Sequence, residues 1–181
     1  AFNVSPTISY QMTDKLALGA AINAQYYTVE LGTMVATSVD APSTATDLES
    51  MIEADDLAVG FSLGLEYQWT DDTRIGLGYR SKLSHDFDGT VALNGSDENY
   101  DALVALASGL GVTITSRNGG ATFSIATPSM LQLGVLHQFT PKFEGYFNAN
   151  RFGWSAFENT VVSYDNGLAD TTVENNWDDS W

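Results

Sequence analysis

Cysteine is absent from all 181 residues, so neither a disulfide framework nor a thiolate metal site or nucleophile is open to this chain. Basic residues are scarce. Seven Lys and Arg stand against 23 Asp and Glu, a net charge of −16, which excludes the positive footprint that nucleic-acid binding needs. Histidine occurs only as His85 and His137, far apart in the chain, and no Ser-His-Asp constellation can be assembled around either. No run approaches the roughly 18 apolar residues of a membrane helix. The opening AFNVSPTISY lacks the basic and apolar regions of a signal peptide, and the closing NNWDDSW has no terminal character. An internal segment of a longer protein is therefore expected.

What the sequence has instead is alternation. In LAVGFSLGLEYQW (57–69) every odd position is large and apolar, and the even positions are small or polar. After TDDT the pattern resumes at Ile75, Leu77 and Tyr79, which marks a hairpin. Across the chain the same period predicts strands at 2–11, 16–31, 57–69, 74–90, 122–139 and 143–162, and the start of another at 172–181. Their connections alternate in length. MTDK, TDDT and TPK are tight turns, whereas 32–56, 91–121 and 163–171 are long.

Short turns at one end and long loops at the other are the signature of an up-and-down outer-membrane barrel. The apolar face from Leu16 to Tyr26 fits the ~9–11 residues with which a tilted strand crosses hydrocarbon. Leu63, Leu65, Leu77 and Tyr79 are expected to face lipid, with Gly64, Glu66, Gly78 and Arg80 facing a lumen. Tyr67, Trp69, Phe139 and Phe143 gather near the short turns, as an interfacial girdle would. A soluble antiparallel sandwich with that face as its core is the competing reading.

Two long connections carry helical signals. In TATDLESMIEADD, Thr46 and Glu49 match a capping box, and Leu48, Met51 and Ile52 follow at helical spacing. In SDENYDALVALASGLG, Ser96 is the cap, and Tyr100, Leu103, Val104 and Ala107 form an apolar stripe that Gly109 and Gly111 can end. Two readings stay open: the helices pack on each other as a lid, or their apolar faces form a groove for a hydrophobic ligand. Leu48, Met51, Ile52, Tyr100, Leu103 and Val104 are the candidate contacts.

Arg80 and Lys82 are expected at successive lumenal positions. They can pair with Glu66 or another acid, or hold an anionic head group. His137 is expected to face outward near a turn. HDFDG (85–89) lacks the rest of a calcium loop and reads as a strand leaving the membrane, with Asp86 and Asp88 in water. Acids concentrate in 32–56 and 163–181, where a lipopolysaccharide-facing surface could use them with divalent cations, yet no coordination set emerges. No metal or cofactor is expected.

Three stretches carry a family resemblance: GFSLGLEYQWTDDTRIGLGYRSKLSHDFDG (60–89), TPSMLQLGVLHQFTPKFEGYFNANRFGWSAF (127–157) and NNWDDSW (175–181). In order and spacing they resemble the FadL-type outer-membrane transporters of long-chain fatty acids and other hydrophobic compounds. The resemblance implies an all-β, antiparallel, 14-stranded transmembrane barrel, of which residues 1–181 are about half, as a single partial domain. It implies a signal peptide and an N-terminal plug that are absent from this stretch. It also places a helical capture groove on the loops at 32–56 and 91–121. Fatty-acid-binding members have an inward Arg soon after a Tyr late in the second strand counted here. This sequence has Thr28 there, which leaves room for an uncharged hydrocarbon. The expectation is passive transport by a monomeric barrel in contact with outer-membrane lipid and lipopolysaccharide, and no enzyme. A general porin, an outer-membrane lipid-modifying enzyme and a soluble β domain are the rivals.

Overall fold

The computed structural model describes residues 1–38, 46–157 and 159–181. Eleven strands join one antiparallel sheet: β1 Phe2–Val4, β2 Thr7–Thr13, β3 Leu16–Val35, β4 Leu48–Thr70, β5 Thr73–Arg80, β6 Leu83–Asn94, β7 Asn118–Thr127, β8 Ser129–Thr140, β9 Phe143–Gly153, β10 Thr160–Tyr164 and β11 Thr171–Val173. One α-helix, α1 Asp97–Gly109, stands between β6 and β7, and a 3-10 turn, Trp154–Ala156, follows β9.

These pieces assemble into the longer strands that the alternation predicts. β4 pairs with β3 from Leu48 to Tyr67. On its other edge it pairs with β5 near the short turns and with β6 toward the long connections. β8 and β7 continue those two rows in turn, and β9 and β10 follow. Breaks fall at Ser5–Pro6, Ser81–Lys82, Pro128 and after Gly153. Two are at proline, which has no N–H to give a ladder. Side chains fill the missing rungs. Ser81 donates its N–H to the Phe61 carbonyl at 2.9 Å and accepts the Phe61 N–H on Oγ at 3.0 Å. The Leu83 N–H reaches Thr127 Oγ1 at 3.2 Å. Asn23 joins Ser5 at 2.9 Å and Ser62 at 2.8 Å. Hydrocarbon offers the backbone no substitute partner, so such repairs are required at this depth.

The breaks also change which face is apolar. On β4 the outer positions Leu57, Val59, Phe61 and Leu63 are 47–63% exposed, as a lipid-facing surface is in the absence of lipid. Their inner neighbours are Ala58, Gly60, Ser62 and Gly64. Toward the long connections the polarity reverses: Leu48, Ile52 and Ala54 are buried on the inner face, whereas Glu49, Glu53 and Asp55 lie outside. β4 achieves this by a change of sequence pattern. The next strand achieves it by a break. The large apolar residues stay on odd positions through β5 and β6, but Arg80 shares the inner face with Ser62, whereas Phe87 and Val91 pack inside against Ile52. The two-residue interruption at Ser81–Lys82 thus turns the apolar side from lipid to interior. Pro128 does the same between Phe123 of β7 and Leu131 of β8. Gly60 permits the crossing, because a Cβ there would meet Ser81 Oγ at 2.5 Å and Leu83 at 2.6 Å.

The helix expected around Leu48, Met51 and Ile52 is not formed. Those residues open β4, in register with Val35, Gly32 and Leu31 of β3. Cross-strand pairing on both edges outweighs the local capping signal, and in a strand Met51 lies on the opposite face from Leu48 and Ile52. Both strands therefore run well past the lipid band, and the connection between them shortens to 36–47, of which 39–45 lie outside the described residues. The second expected helix does form. Ser96 Oγ caps it by accepting the Asn99 N–H at 3.2 Å, and Asp97 and Glu98 occupy its first turn.

Candidate functional site

Above the breaks the inner face is an apolar wall. Ile52, Ala54, Phe87, Val91, Ala121 and Phe123 pack together with Val162, and Val29, Ile125 and Tyr164 border them. Phe87 and Phe123 stack with centroids 4.8 Å apart. Large residues recur here because two neighbouring strands have both turned their apolar side inward.

One polar group is built into this wall. His85 is 2% exposed and stacks on Phe87 at 5.6 Å. Its Nδ1 lies 2.9 Å from Asp56 Oδ2 and its Nε2 lies 3.2 Å from Gln25 Oε1. The link spans three strands, β3, β4 and β6, and the small Ala58 on β4 leaves room for it. The sequence pattern places His85 in a strand leaving the membrane and gives it no partner. Asp86 and Asp88 do face outward, Asp88 opposite Asp55 and Asp86 receiving the Ser124 hydroxyl at 2.6 Å. The spacing of Gln25, Asp56 and His85 carries no motif, so only the register could bring them together.

Below the wall the inner face becomes small and polar. Gly64 faces Gly78, Gly78 faces Gln132, and Gln132 faces Asn150. Arg74 pairs with Glu66 at 3.6 Å, both half-exposed, so the pairing expected for an inward cation is made by Arg74. Arg80 stands at the junction of the two zones, half-buried between Ser62 and Met130, and has no ion-pair partner among the described residues. Lys82 lies in the break between β5 and β6 rather than at the next inward position. That corrects the expectation of two successive lumenal cations, because the interruption shifts the phase of the strand. Thr28 pairs with Asp55 on the outer face, away from the wall.

α1 packs against the strand ends at the long-connection end of the sheet. Leu103 and Ala107 of α1 pack on Leu48, Leu93 and Ile114, with Tyr100 and Val104 half-buried at the margin. Leu103 is 5% exposed and Leu48 fully buried. The expected contacts Leu48, Leu103, Tyr100 and Val104 therefore do meet, as a packed cluster. Ile52 belongs to the wall beneath, and Met51 belongs to neither.

His137 lies where expected, and Arg151 joins it on the outer face. His137 is on the outer face opposite Thr73, whose hydroxyl is 2.9 Å from its Nδ1. Arg151 is on the outer face opposite Leu131 and pairs with Asp179 at 2.6 Å. Asp179 also accepts the Ser155 N–H at 3.0 Å, so this pair fastens the segment after β11 beside the break that follows β9.

Comparison with known proteins gives the same architecture. The model of the family described as outer membrane protein transport protein (OMPP1/FadL/TodX) matches residues 1–181. Outer membrane protein P1 of Haemophilus influenzae is 27% identical over 92% of this chain and 38% of its own length. The long-chain fatty acid transport protein of Escherichia coli is 21% identical over 91% of this chain and 40% of its own. The chain thus spans about two fifths of these curated relatives. Among solved structures, the Ralstonia pickettii toluene transporter TbuX aligns with a TM-score of 0.70 at 24% identity, covering 98% of this chain and 48% of TbuX. A Pseudomonas aeruginosa FadL homologue aligns with a TM-score of 0.76 at 18% identity, covering 98% and 43%.

Proposed function

The chain belongs to the OMPP1/FadL/TodX family of outer membrane transport proteins, and from that premise we propose that the intact protein carries hydrophobic small molecules, long-chain fatty acids among them, passively across the outer membrane. The observation that carries this reading is the two-zone inner face: an apolar wall beneath a helical lid, with a cation, unpaired among the described residues, where the wall ends. A hydrophobic molecule docks at the lid, where Tyr100, Leu103 and Val104 with Leu48 offer an apolar surface once α1 lifts. It passes along the wall that contains Ile52 and reaches Arg80. The relatives named for fatty-acid and toluene transport support a hydrophobic cargo. The outer apolar face contacts membrane lipid. Lipopolysaccharide meets the acidic outer surface above it, and the barrel works as a monomer. No bond is made or broken, so no residue is assigned a catalytic role.

Arg80 gives the reading its test. A carboxylate at the end of a hydrocarbon tail can accept charge-assisted hydrogen bonds from the guanidinium, and a methyl ester cannot do so as an anion. Losing such a bond costs roughly 1.5–3 kcal/mol, or about a 10- to 150-fold loss of affinity. In the intact barrel, Arg80→Gln should weaken binding of a fatty acid by that factor and of its methyl ester much less. Equal losses for acid and ester on folded protein would remove Arg80 from the passage and favour an uncharged cargo.

A further inference from the structure

The lid is held by more than its apolar stripe. α1 is 13 residues long and fully buries only Leu103 and Ala107. A helix this short is marginal by itself, and two buried side chains leave its angle to the sheet weakly defined. The chain enters it through Gly95 at φ +152°, a conformation that favours glycine and gives the helix a pivot at its start.

Arg117 bridges that pivot. Its backbone is the top rung of the β6–β7 ladder, the Leu93 N–H donating to the Arg117 carbonyl at 2.9 Å. From this fixed base the guanidinium reaches back to the start of α1. Nη1 donates to the Gly95 carbonyl at 3.2 Å, and Nη2 donates to the Ser96 carbonyl at 3.1 Å and to Asp97 Oδ1 at 2.8 Å. The same group lies 4.3 Å over the Tyr100 ring. A cation at the positive end of a helix opposes the helix dipole, so this placement does not serve helix formation itself. Its geometry instead fixes the direction in which α1 leaves the sheet. Three acceptors on the consecutive residues Gly95, Ser96 and Asp97, and the Tyr100 ring one turn on, meet a planar fork that Lys cannot reproduce.

We propose that Arg117 is a positioning residue that holds α1 shut over Leu48, Leu93 and Ile114, and thereby sets the rate at which a hydrophobic molecule enters. The proposal rests on the transport reading above, since it assigns the gating of that same entry. When the clasp breaks, α1 turns between Gly95 and Gly111, the positive-φ glycines on either side of it, and the Leu103 face comes off the cluster. Losing a charge-assisted set of hydrogen bonds shifts a closed–open equilibrium by about tenfold.

The test uses the intact barrel carrying Leu110→Cys, a site at the C-terminal end of α1 that is 73% exposed. A nitroxide on this cysteine reports helix motion without any ligand, and stopped-flow fluorescence reports association of N-phenyl-1-naphthylamine. Arg117→Gln should raise both the mobile fraction and the association rate, the rate by about tenfold. Arg117→Lys should fall between Gln and wild type. Unchanged label mobility in Arg117→Gln would overturn the proposal. So would increased mobility with an unchanged or slower association rate, because α1 would then be loosened without gating anything. Failure of the wild type to bind the probe would instead count against the transport reading, while the label alone still decides whether Arg117 holds the helix.

Discussion

On β4 the same outer face passes from lipid to water within a few residues, and a charge moved along it should report the boundary. Leu63 is 52% exposed and lies between Ala20 and Tyr79 on the neighbouring strands, inside the apolar band. Glu53 is on the same face ten positions nearer the long connection, opposite Glu30 on one side and Thr90 on the other. Leu63→Arg places a guanidinium in hydrocarbon, at a cost of about 2–4 kcal/mol near the bilayer midplane. Glu53→Arg should cost nothing. It replaces a like-charge pair directly across the ladder by an opposite-charge pair, a change worth roughly 0.2–1 kcal/mol in the stabilising direction. The two substitutions introduce the same residue on the same strand and face, so the strand propensity of the introduced Arg cancels from the comparison. Equilibrium urea unfolding of the intact barrel in phospholipid vesicles measures both. A difference of at least ~2 kcal/mol is expected. Equal penalties would mean that lipid extends to Glu53 or does not reach Leu63, and the assignment of the polarity reversal to the membrane surface would be refuted.

Leu103→Asp should detach α1 from Leu48 and Ile114 and weaken probe binding, with the barrel's own unfolding midpoint unchanged, since the lid lies beyond the lipid band; native-state hydrogen exchange of α1 checks this, and full protection would show that the cluster does not depend on Leu103. The His85–Asp56 contact should show a coupling of about 1–3 kcal/mol in a double-mutant cycle of His85→Leu and Asp56→Asn, because removing the imidazole leaves the carboxylate short of a partner. Additive losses would mean that the two groups are neighbours without mutual stabilisation.

Strand number, turn positions and the lipid-facing residues were legible because period-two alternation leaves one solution once one face must be covered. Leu57 to Trp69 and Ile75 to Tyr79 needed no partner to declare their orientation. The helix at α1 was legible too, since Ser96, the acids behind it and the apolar stripe all agree. The error at Leu48, Met51 and Ile52 has a physical cause. A strand that moves from lipid to water must exchange its apolar and polar faces. On β4 that exchange occurs between Ala54 and Leu57; before it, Leu48 and Ile52 share the inner face four residues apart while Met51 lies on the outer face, and the three together imitate helical spacing.

The sequence by itself determined an antiparallel, lipid-facing sheet with short turns at one end, a loop helix at the other and no thiol chemistry. The tertiary structure alone decided the interior. That Arg80 is inward but Lys82 is out of phase depends on a break whose rungs are filled by Ser81 and Phe61. That His85 meets Asp56 and Gln25 depends on the register of three strands and on the absence of bulk at Ala58. That Arg117 clasps the start of α1 depends on where the β6–β7 ladder ends. Alternation is a property of one strand and is written in it. Register is a property of pairs of strands, and it is fixed only when the whole sheet chooses the pairing that buries both its apolar faces at once.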